Sequence, residues 1–388
     1  REKAEQRVHA HIASSSALKK ENPELKIAVI GCMAERVGKD IIDSNPDIDI
    51  LLGPDYLSML PDIIDNGFKD KAVFLSSDSD CQTSFKIKED VKFRNRGISA
   101  FVAISKGCEN YCSFCIVPYV RGKLRNKPYS DIIREIAFLV SAGVKEVTLL
   151  GQNVNSYEYD GVDFPALLRK SGEVNGIERI RFTTSHPKDV SEKLFVAMAE
   201  TPQVCESLHL PMQAGSNRIL KLMNRGYTIE QYKHSIKLAK KHIPELCLTT
   251  DLITGFPSET EEEFRMTIDA VTDIGFDAAF MFRYSKRPGT AAANLEDFPP
   301  DDVKIERLNR LISLQQRQAK EQNQTLINST VEVMIDGVSK KNSNEFRGKD
   351  RGGRTVVVRN EDNLSTGDVI NVKTIEAGSW TLIGERVT

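Results

Sequence analysis

Three cysteines close together are the residues of this sequence best suited to chemistry. Cys108, Cys112 and Cys115 have the spacing C-x-x-x-C-x-x-C and directly follow a strand-like run. Thiolates at this spacing on a tight loop can bind one small metal cluster. A typical cluster protein offers four cysteines, whereas this loop offers three. One iron of a 4Fe–4S cluster would then keep an open position, as a catalytic metal centre requires. The spacing therefore predicts a catalytic iron–sulfur site.

Zinc binding and plain burial are the alternative interpretations of these thiols. Zinc sites favour a C-x-x-C pair with a second pair or with histidines, and no second pair lies nearby in this sequence. The chain has seven cysteines, an odd number, and a bunched set in a reducing compartment favours metal binding over disulfides. Cys81, Cys205 and Cys247 match no ligand pattern and are predicted to be thiols without a function.

A regular alternation of strands and helices from residue 98 onward predicts the frame that positions these residues. The strand-like runs are at residues 100–105, 146–150, 179–184, 207–210, 248–253 and 278–284, and the helix-like segments are at 130–142, 165–170, 191–200, 229–242 and 261–274. Six such alternations predict an α/β fold with a parallel sheet, open or curled into a partial barrel. Chemistry gathers at the carboxyl ends of the strands in such folds, where Asn153, Ser185 and Gln213 fall.

The remaining segments predict two smaller domains and a linker. Residues 1–75 have the pattern of a small α/β domain, with helices over 1–20 and 34–44 and strand-like runs at 26–32 and 48–52. Residues 76–97 are polar and lack periodicity, which predicts a linker. The central domain spans 98–328 and ends in a long polar helix over 302–326. Short strand-like runs at 331–335, 354–358, 369–372 and 381–382 predict a small antiparallel β-barrel over 329–388.

The composition argues against several classes of protein. A formal net charge of −2 argues against a surface that is coated by nucleic acid throughout. No apolar run approaches the roughly 18 residues of a membrane span, and no secretion signal is visible, so a cytoplasmic location without membrane attachment is expected. The first residue is Arg1 rather than methionine. The natural start is therefore expected to lie upstream, where a signal would not be seen.

The cysteine motif, with an aromatic residue before its last cysteine and a strand before its first, resembles the motif of radical S-adenosylmethionine (SAM) enzymes. The resemblance implies a partial (βα)6, TIM-like barrel. It also implies that the open iron binds the amino and carboxylate groups of SAM, and that one electron splits SAM to a radical that abstracts hydrogen. It places SAM contacts at Phe114, Gly151, Gln152, Asn153, Ser185, Gln213 and Asp251.

Three further blocks narrow the resemblance to the methylthiotransferases of this family. They are GQNVNSY at residues 151–157, TSHP at 184–187 and HLPMQAGS at 209–216. The first block is closest to the branch that adds a methylthio group to carbon 2 of isopentenyl-adenosine beside the anticodon of tRNA, using two SAM molecules and two 4Fe–4S clusters. The alternatives are the branch that modifies an aspartate of a ribosomal protein, the branch that acts on threonylcarbamoyl-adenosine in tRNA, and a non-enzymatic RNA-binding module with a structural cluster.

The same resemblance assigns the outer domains. The N-terminal domain would be Rossmann-like and would carry the second cluster, with Cys32 as the third of its ligands and the other two upstream of Arg1. By itself, Cys32 would be interpreted as a buried structural thiol, because its strand is apolar. The C-terminal barrel resembles the TRAM module, which binds RNA. The implied partners are the anticodon stem-loop of tRNA, an electron donor such as flavodoxin or ferredoxin, and a donor of sulfur or clusters; a monomer is expected.

Basic residues mark the expected RNA contacts. Arg121, Lys123, Arg125 and Lys127 alternate with other residues just beyond the cysteine loop. In an extended segment they would face one side, as contacts to a phosphate backbone should, although a solvated strand is the alternative. In the tail, RNA contacts are predicted at Lys340, Lys341, Arg347 and Arg354.

Overall fold

The computed structural model describes residues 2–67, 71–75, 97–296, 298–339, 342–359 and 364–387. The predictions for Cys81, for Lys340 and Lys341 and for most of the linker at 76–97 lie outside these residues. The chain divides into two compact units. Unit 1 comprises residues 1–90, 107–124 and 285–293, and unit 2 comprises residues 91–106, 125–284 and 294–388.

Unit 1 contains a small α/β layer and the cysteine loop. Its elements are α1 Glu2–Glu21, β1 Ala28–Ile30, α2 Cys32–Val37, α3 Asp40–Ser44, β2 Ile50–Leu52, α4 Leu60–Asn66, β3 Ala72–Phe74 and α5 Val117–Arg121. The strands form a parallel sheet in the order β1-β2-β3. All three residues of β2 are buried, as expected for a central parallel strand covered on both faces. The single helix predicted over 34–44 is wrong, because Gly38 adopts a φ of +62° and separates α2 from α3.

Unit 2 begins with the predicted alternation of strands and helices. Its elements up to residue 325 are β4 Ser99–Ala103, β5 Ser105–Lys106, β6 Arg125–Asn126, α6 Tyr129–Ser141, β7 Glu146–Leu150, β8 Glu158–Tyr159, β9 Val162–Asp163, α7 Phe164–Gly172, β10 Arg179–Phe182, α8 Glu192–Glu200, β11 Ser207–His209, α9 Asn217–Leu222, α10 Ile229–His242, β12 Cys247–Thr254, α11 Glu261–Ile274, β13 Ala278–Arg283 and α12 Asp301–Thr325. Two parallel sheets, β10-β7-β4 and β11-β12-β13, are connected by a parallel bridge between Ile180 and Val204. Six parallel strands therefore follow one another in chain order, which confirms the predicted partial barrel.

Burial alternates along β12 and distinguishes the two faces of this barrel. Leu248, Thr250, Leu252 and Thr254 are fully buried. The hydroxyl of Thr254 donates to the carbonyl of Lys304 on α12, so the helices cover this face. Thr249, Asp251 and Ile253 point to the other face and are only partly buried. We call that second face the open face, because it is where a ligand can reach the strands.

The end of unit 2 is a closed five-stranded barrel. Its strands are β14 Thr330–Val338, β15 Phe346–Asp350, β16 Thr355–Val358, β17 Val369–Ala377 and β18 Thr381–Arg386, in the order β14-β15-β16-β18-β17. The predicted small barrel is confirmed, with the difference that β16 and β18 pair in parallel. Strand β15 was not predicted, because the sequence FRGKD lacks an apolar alternation. Among the described residues, no helix has the length and apolar character of a membrane span.

Arginine side chains fix this small barrel to the amino ends of the catalytic strands. Arg179, at the start of β10, donates to the carbonyls of Lys349 and Glu332 and pairs with the Glu332 carboxylate at 2.8 Å. Arg351, in the β15–β16 turn, pairs with Glu206 at 2.6 Å and donates to the carbonyl of Val204. The barrel is therefore held by charged hydrogen bonds to backbone and carboxylate groups.

Replacing Arg179 with alanine should destabilise unit 2 by about 3 kcal/mol. The guanidinium is 1% exposed, and its removal leaves buried carbonyl acceptors without donors. Urea unfolding followed by circular dichroism measures the change. Arg169→Ala is the matched control, since Arg169 pairs with Glu200 at the surface and should contribute less than about 1 kcal/mol. Equal midpoints for the two variants would contradict the assigned role of Arg179.

Candidate active site

The cysteine loop is a tight turn held by backbone hydrogen bonds. The amide of Cys115 donates to the carbonyl of Cys112 at 2.9 Å, and the amide of Cys108 donates to the carbonyl of Gly122 at 3.2 Å. The carbonyl of Ser113 accepts from the amide of Ala292 at 2.7 Å, so a second segment of unit 1 supports the loop. These bonds hold the backbone of the loop in place.

Cys108 and Cys112 lie close enough to Cys115 to influence the ionisation of its thiol. Burial raises the pKa of the Cys115 thiol, and the nearby Cys112 and Cys108 thiols raise it further, while Arg287 lowers it. Cys112 is 8% exposed, and Cys108 and Cys115 are partly buried. Neighbouring thiolates repel each other in such a site, so the ionised trio requires a positively charged centre. The donor set therefore fits iron.

A site for a single ion is a different arrangement, and the described residues do not form one. No three His, Cys, Asp or Glu side chains among them converge closely enough to bind one metal ion. Thiolates that bind different irons of a cluster need not converge on one point. The binding of a cluster by the three thiols therefore stays a prediction.

Cys32 is placed beside the helix that follows the cysteine loop. It is the first residue of α2, directly after Gly31, whose φ is +101°. Helix α2 packs against α5, which begins two residues after Cys115. The thiol of Cys32 is partly exposed. This arrangement fits the predicted role of Cys32 as a ligand to a second cluster near the first.

Three predicted SAM residues lie just beyond the carboxyl ends of strands in unit 2. Asn153 follows β7, Ser185 follows β10 and Gln213 follows β11. Gln213 adopts a φ of +69°, which is uncommon for a residue with a side chain. Its amide donates to the carbonyl of Asp251 at 2.8 Å, and its carbonyl accepts from the amide of Ile253 at 2.9 Å. These two bonds to β12 stabilise the strained backbone and fix the side chain's direction.

Each of these three side chains has a buried oxygen without a hydrogen-bond partner among the described residues. The atoms are Asn153 Oδ1, Ser185 Oγ and Gln213 Oε1. The amide nitrogen of Asn153 donates to Asp189 Oδ2 at 2.6 Å, which leaves its oxygen available. A buried polar atom without a partner costs about 1–3 kcal/mol, so a ligand with polar groups is expected to satisfy them. The chain's residues therefore fit SAM, whose amino, carboxylate and ribose groups are polar.

The other predicted SAM residues have mixed surroundings. A Cβ atom on Gly151 would lie 2.4 Å from Ser105 Oγ, so close packing explains this glycine. Asp251 lies on the open face, with its Oδ2 3.6 Å from His209 Nε2. Gln152 is partly buried. Phe114 is also partly buried and belongs to unit 1. The SAM contacts of these four residues stay predictions.

Comparisons with known proteins show which family the chain resembles. The model of the radical SAM superfamily matches residues 102–271, and a model described as the uncharacterized protein family UPF0004 matches residues 1–53. The tRNA-2-methylthio-N(6)-dimethylallyladenosine synthase of Bacteroides thetaiotaomicron is 45% identical over 398 residues, covering 100% of this chain and 86% of that protein. The protein of the same name from Acetivibrio thermocellus is 44% identical, covering 100% of this chain and 81% of the relative.

The chain belongs to the family of the tRNA-2-methylthio-N(6)-dimethylallyladenosine synthases. A cobalamin-dependent SAM radical enzyme, OxsB, solved with aqua-cobalamin and SAM bound, is similar in fold at a TM-score of 0.50. It shares 14% identity, and the match covers 79% of this chain and 46% of that one. This likeness agrees with a TIM-like fold, and the superfamily model that matches residues 102–271 agrees with it too.

A carboxylate that was not predicted supports the Gln213 loop of the synthase. Ser216 Oγ donates to Glu263 Oε1 at 3.0 Å, and Arg218 binds both Glu263 oxygens, at 2.7 and 2.6 Å. The hydrogen bond from Arg218 lowers the pKa of Glu263 to about 2. Glu263 also forms a capping box with Thr260 at the start of α11. The T-x-x-E pattern before an apolar run is the sequence signal that could have indicated it.

Glu263→Gln should destabilise the synthase by about 1–2 kcal/mol at pH 7. Because the folded pKa lies below the usual value of 4.5, the carboxylate's contribution is present above pH 4.5 and is lost as the pH falls towards 2. The difference between wild type and variant in urea unfolding should therefore stay constant from pH 7 to pH 5 and shrink as the pH falls from 4.5 towards 2. Glu262→Gln, exposed in the same turn, is the control. A difference that stays constant with pH would contradict the ion pair's role.

The structure corrects part of the predicted RNA surface. Arg121 ends helix α5, so the prediction that it belongs to one extended segment is wrong, whereas Arg125 lies in strand β6. Lys127 is buried and pairs with Glu135. Arg354 pairs with Asp277 at 2.5 Å and with Asp350 at 3.1 Å. These contacts fix the small barrel to β13, so Arg354 has a structural role instead of the predicted contact with RNA.

Two other predicted RNA contacts, Arg347 and Lys123, keep at least part of their side chain exposed. Arg347 pairs with Asp336 at 2.9 Å and stays partly exposed, and Lys123 is exposed.

Cys205 and Cys247 are buried, and burial raises the pKa of both thiols, which agrees with thiols that have no chemical function. Burial, assisted by Arg225, lowers the pKa of His186 to about 2, so its imidazole is neutral at physiological pH and accepts from the amide of Lys188.

Proposed function

We propose that this protein adds a methylthio group to carbon 2 of N6-dimethylallyladenosine next to the anticodon of tRNA. The observation that carries the proposal is the full-length identity to synthases of this name, together with the three-cysteine loop and the unpartnered oxygens at the strand ends. Carbon 2 of an adenine offers no acidic hydrogen, so acid–base catalysis by side chains is a poor route. When bound, SAM and the 4Fe–4S clusters supply the radical chemistry that removes this hydrogen and the sulfur that replaces it.

The chain's own residues would bind, orient and protect these groups. Cys108, Cys112 and Cys115 would hold the catalytic cluster and leave one iron free for SAM. Asn153, Ser185 and Gln213 would accept or donate hydrogen bonds to SAM at the strand ends, where their oxygens are buried and unpartnered in the described structure. Gly151, Gln152, Asp251 and Phe114 are the further candidates for contacts with SAM. Cys32 would be one ligand of the second cluster.

The domain assignment follows the same proposal. Residues 1–75 would form the Rossmann-like methylthiotransferase domain, residues 76–97 a linker, residues 98–328 the radical SAM domain and residues 329–388 a TRAM domain. The anticodon stem-loop would contact basic residues, with Arg121, Lys123, Arg125, Lys340, Lys341 and Arg347 as candidates. An electron donor such as flavodoxin or ferredoxin, and a donor of sulfur or clusters, would serve the enzyme as a cytoplasmic monomer.

Mass spectrometry of tRNA nucleosides tests the proposal. The cluster-loaded protein, incubated without oxygen with SAM, a reductant and tRNA that carries N6-dimethylallyladenosine, should form the 2-methylthio derivative. Cells that lack the gene should lose this nucleoside and regain it on complementation. Unmodified tRNA together with a methylthiolated aspartate in a ribosomal protein would overturn the proposal in favour of the sister reaction. Methylthiolation of threonylcarbamoyl-adenosine alone would also overturn it.

A further inference from the structure

An aromatic ring on the open face of the barrel is left largely uncovered. Phe280 lies in the middle of β13 and is 59% exposed, whereas its neighbour Ala279 is buried. The Cα atom of Phe280 pairs with that of Asp251 on β12, which places the phenyl ring on the open face. A large apolar ring exposed at the centre of a catalytic sheet is typical of a surface that receives a ligand.

His209 on β11 holds this ring in one orientation. The imidazole lies edge-on to Phe280, with ring centroids 5.9 Å apart and an angle of 72° between the planes. His209 Nδ1 lies 2.9 Å from Thr249 Oγ1, and Nε2 lies 3.6 Å from Asp251 Oδ2. Nδ1 is within hydrogen-bonding distance of Thr249 and Nε2 lies near the Asp251 carboxylate, so β12 restricts the imidazole that contacts the phenyl ring.

We propose that Phe280 is the surface on which the target purine of the tRNA stacks, and that His209 is a positioning residue that acts through Phe280. The inference rests on the proposed function, since it names the part of the barrel that receives the substrate base. Enzymes that modify an RNA base take it out of its stack and accept its flat face on an aromatic side chain. Such stacking does not depend on the edge groups of the base, so the N6 substituent does not prevent it.

SAM also contains a purine, so the ring that stacks on Phe280 could belong either to SAM or to the tRNA. The unpartnered oxygens of Asn153, Ser185 and Gln213 lie beyond the strand ends and suit the polar groups of SAM. Phe280 instead lies three residues before the end of β13, beside Asp251 of β12. An apolar ring within the barrel is better suited to the purine of the substrate than to the polar end of the cofactor.

Binding of a labelled anticodon stem-loop that carries N6-dimethylallyladenosine tests the proposal without turnover. By fluorescence anisotropy with the cluster-loaded protein, Phe280→Ala should weaken binding about tenfold or more. Phe280→Trp should bind like wild type, and Phe280→Leu, which keeps bulk without an aromatic face, should not restore binding. The KM for SAM and the rate of SAM cleavage without tRNA should stay unchanged in all three variants. Met266→Ala, an exposed apolar residue on α11, is the control.

The role of His209 is tested by a double-mutant cycle. His209→Ala should weaken stem-loop binding about threefold in the wild-type background and not at all in Phe280→Ala, because a residue that acts through the ring has no effect without it. Equal effects in both backgrounds would overturn that role. Restoration of binding by Phe280→Leu, or a rise in the KM for SAM with unchanged stem-loop binding, would overturn the stacking proposal. Failure of the wild-type protein to methylthiolate tRNA would instead count against the proposed function, since stem-loop binding is measured independently.

Discussion

Cys112→Ala is expected to abolish both iron binding and SAM cleavage. Three thiolates are the minimum that holds a 4Fe–4S cluster with one open iron, so the loss of one leaves two irons without protein ligands. Cys112 is also the most buried of the three cysteines. Water therefore cannot easily reach the iron and replace the missing thiolate. The release of 5′-deoxyadenosine should fall by about a thousandfold or more, as expected when the group that performs the chemistry is lost.

Iron content, visible absorption and 5′-deoxyadenosine release measure this outcome. Cys205→Ala is the matched control, because Cys205 is buried in unit 2 and belongs to no predicted ligand set. It should lower stability slightly and leave the iron content of the loop unchanged. Full iron loading and SAM cleavage in Cys112→Ala would show that the cysteine loop is not the catalytic cluster site.

Gly107→Ala is expected to prevent correct assembly of the cysteine loop without removing any ligand. Gly107 directly precedes Cys108 and has a φ of +78°, a conformation that favours glycine. A Cβ atom here would lie 2.0 Å from the carbonyl oxygen of Lys123 and 2.6 Å from that of Gly122. Both clashes involve backbone, so the loop itself must move, at a cost of about 3 kcal/mol or more.

Gly122→Ala is the control that distinguishes the steric clash at Gly107 from the cost of placing alanine at a positive φ. Gly122 has a similar φ of +68°, but nothing lies within 4 Å of an added Cβ atom. This variant should lose about 1 kcal/mol of stability and keep most of its iron, whereas Gly107→Ala should retain only a minor fraction. Iron and sulfide content after anaerobic reconstitution distinguishes them. Equal iron loading in the two variants would show that the close approach of Gly107 to Lys123 does not position the ligands.

Local patterns were enough to predict the six parallel strands of the barrel and most of its helices, but not α9 Asn217–Leu222. The strand Glu146–Leu150 and the helices Ile229–His242 and Glu261–Ile274 lie at the predicted residues, because apolar runs and helical periodicity are properties of neighbouring residues. In unit 1, the wrong prediction of a single helix over residues 34–44 also has a local cause, which is Gly38. A glycine there permits a left-handed backbone that interrupts the helical pattern.

The predicted RNA contacts at Arg354 and Lys127 failed because their partners cannot be recognised from neighbouring residues. Arg354 and Lys127 have the composition of RNA contacts, yet carboxylates far away or on another element bind them. Nothing in the neighbouring residues identifies Asp277 as the partner of Arg354, since the two residues are brought together only when the small barrel packs on the strand ends. A basic residue in a loop therefore predicts a positive charge, but not whether that charge remains available.

The amino-acid sequence by itself determined the cysteine spacing, the order of strands and helices, and the positions just beyond the strand ends. These depend on residue type and on separation along the chain. Only the tertiary structure decided which polar atoms stay unpartnered, which charges are neutralised and which aromatic ring remains exposed. Those properties depend on the contacts that each group makes in the folded chain. In a buried environment, a small difference in contacts causes a large difference in free energy.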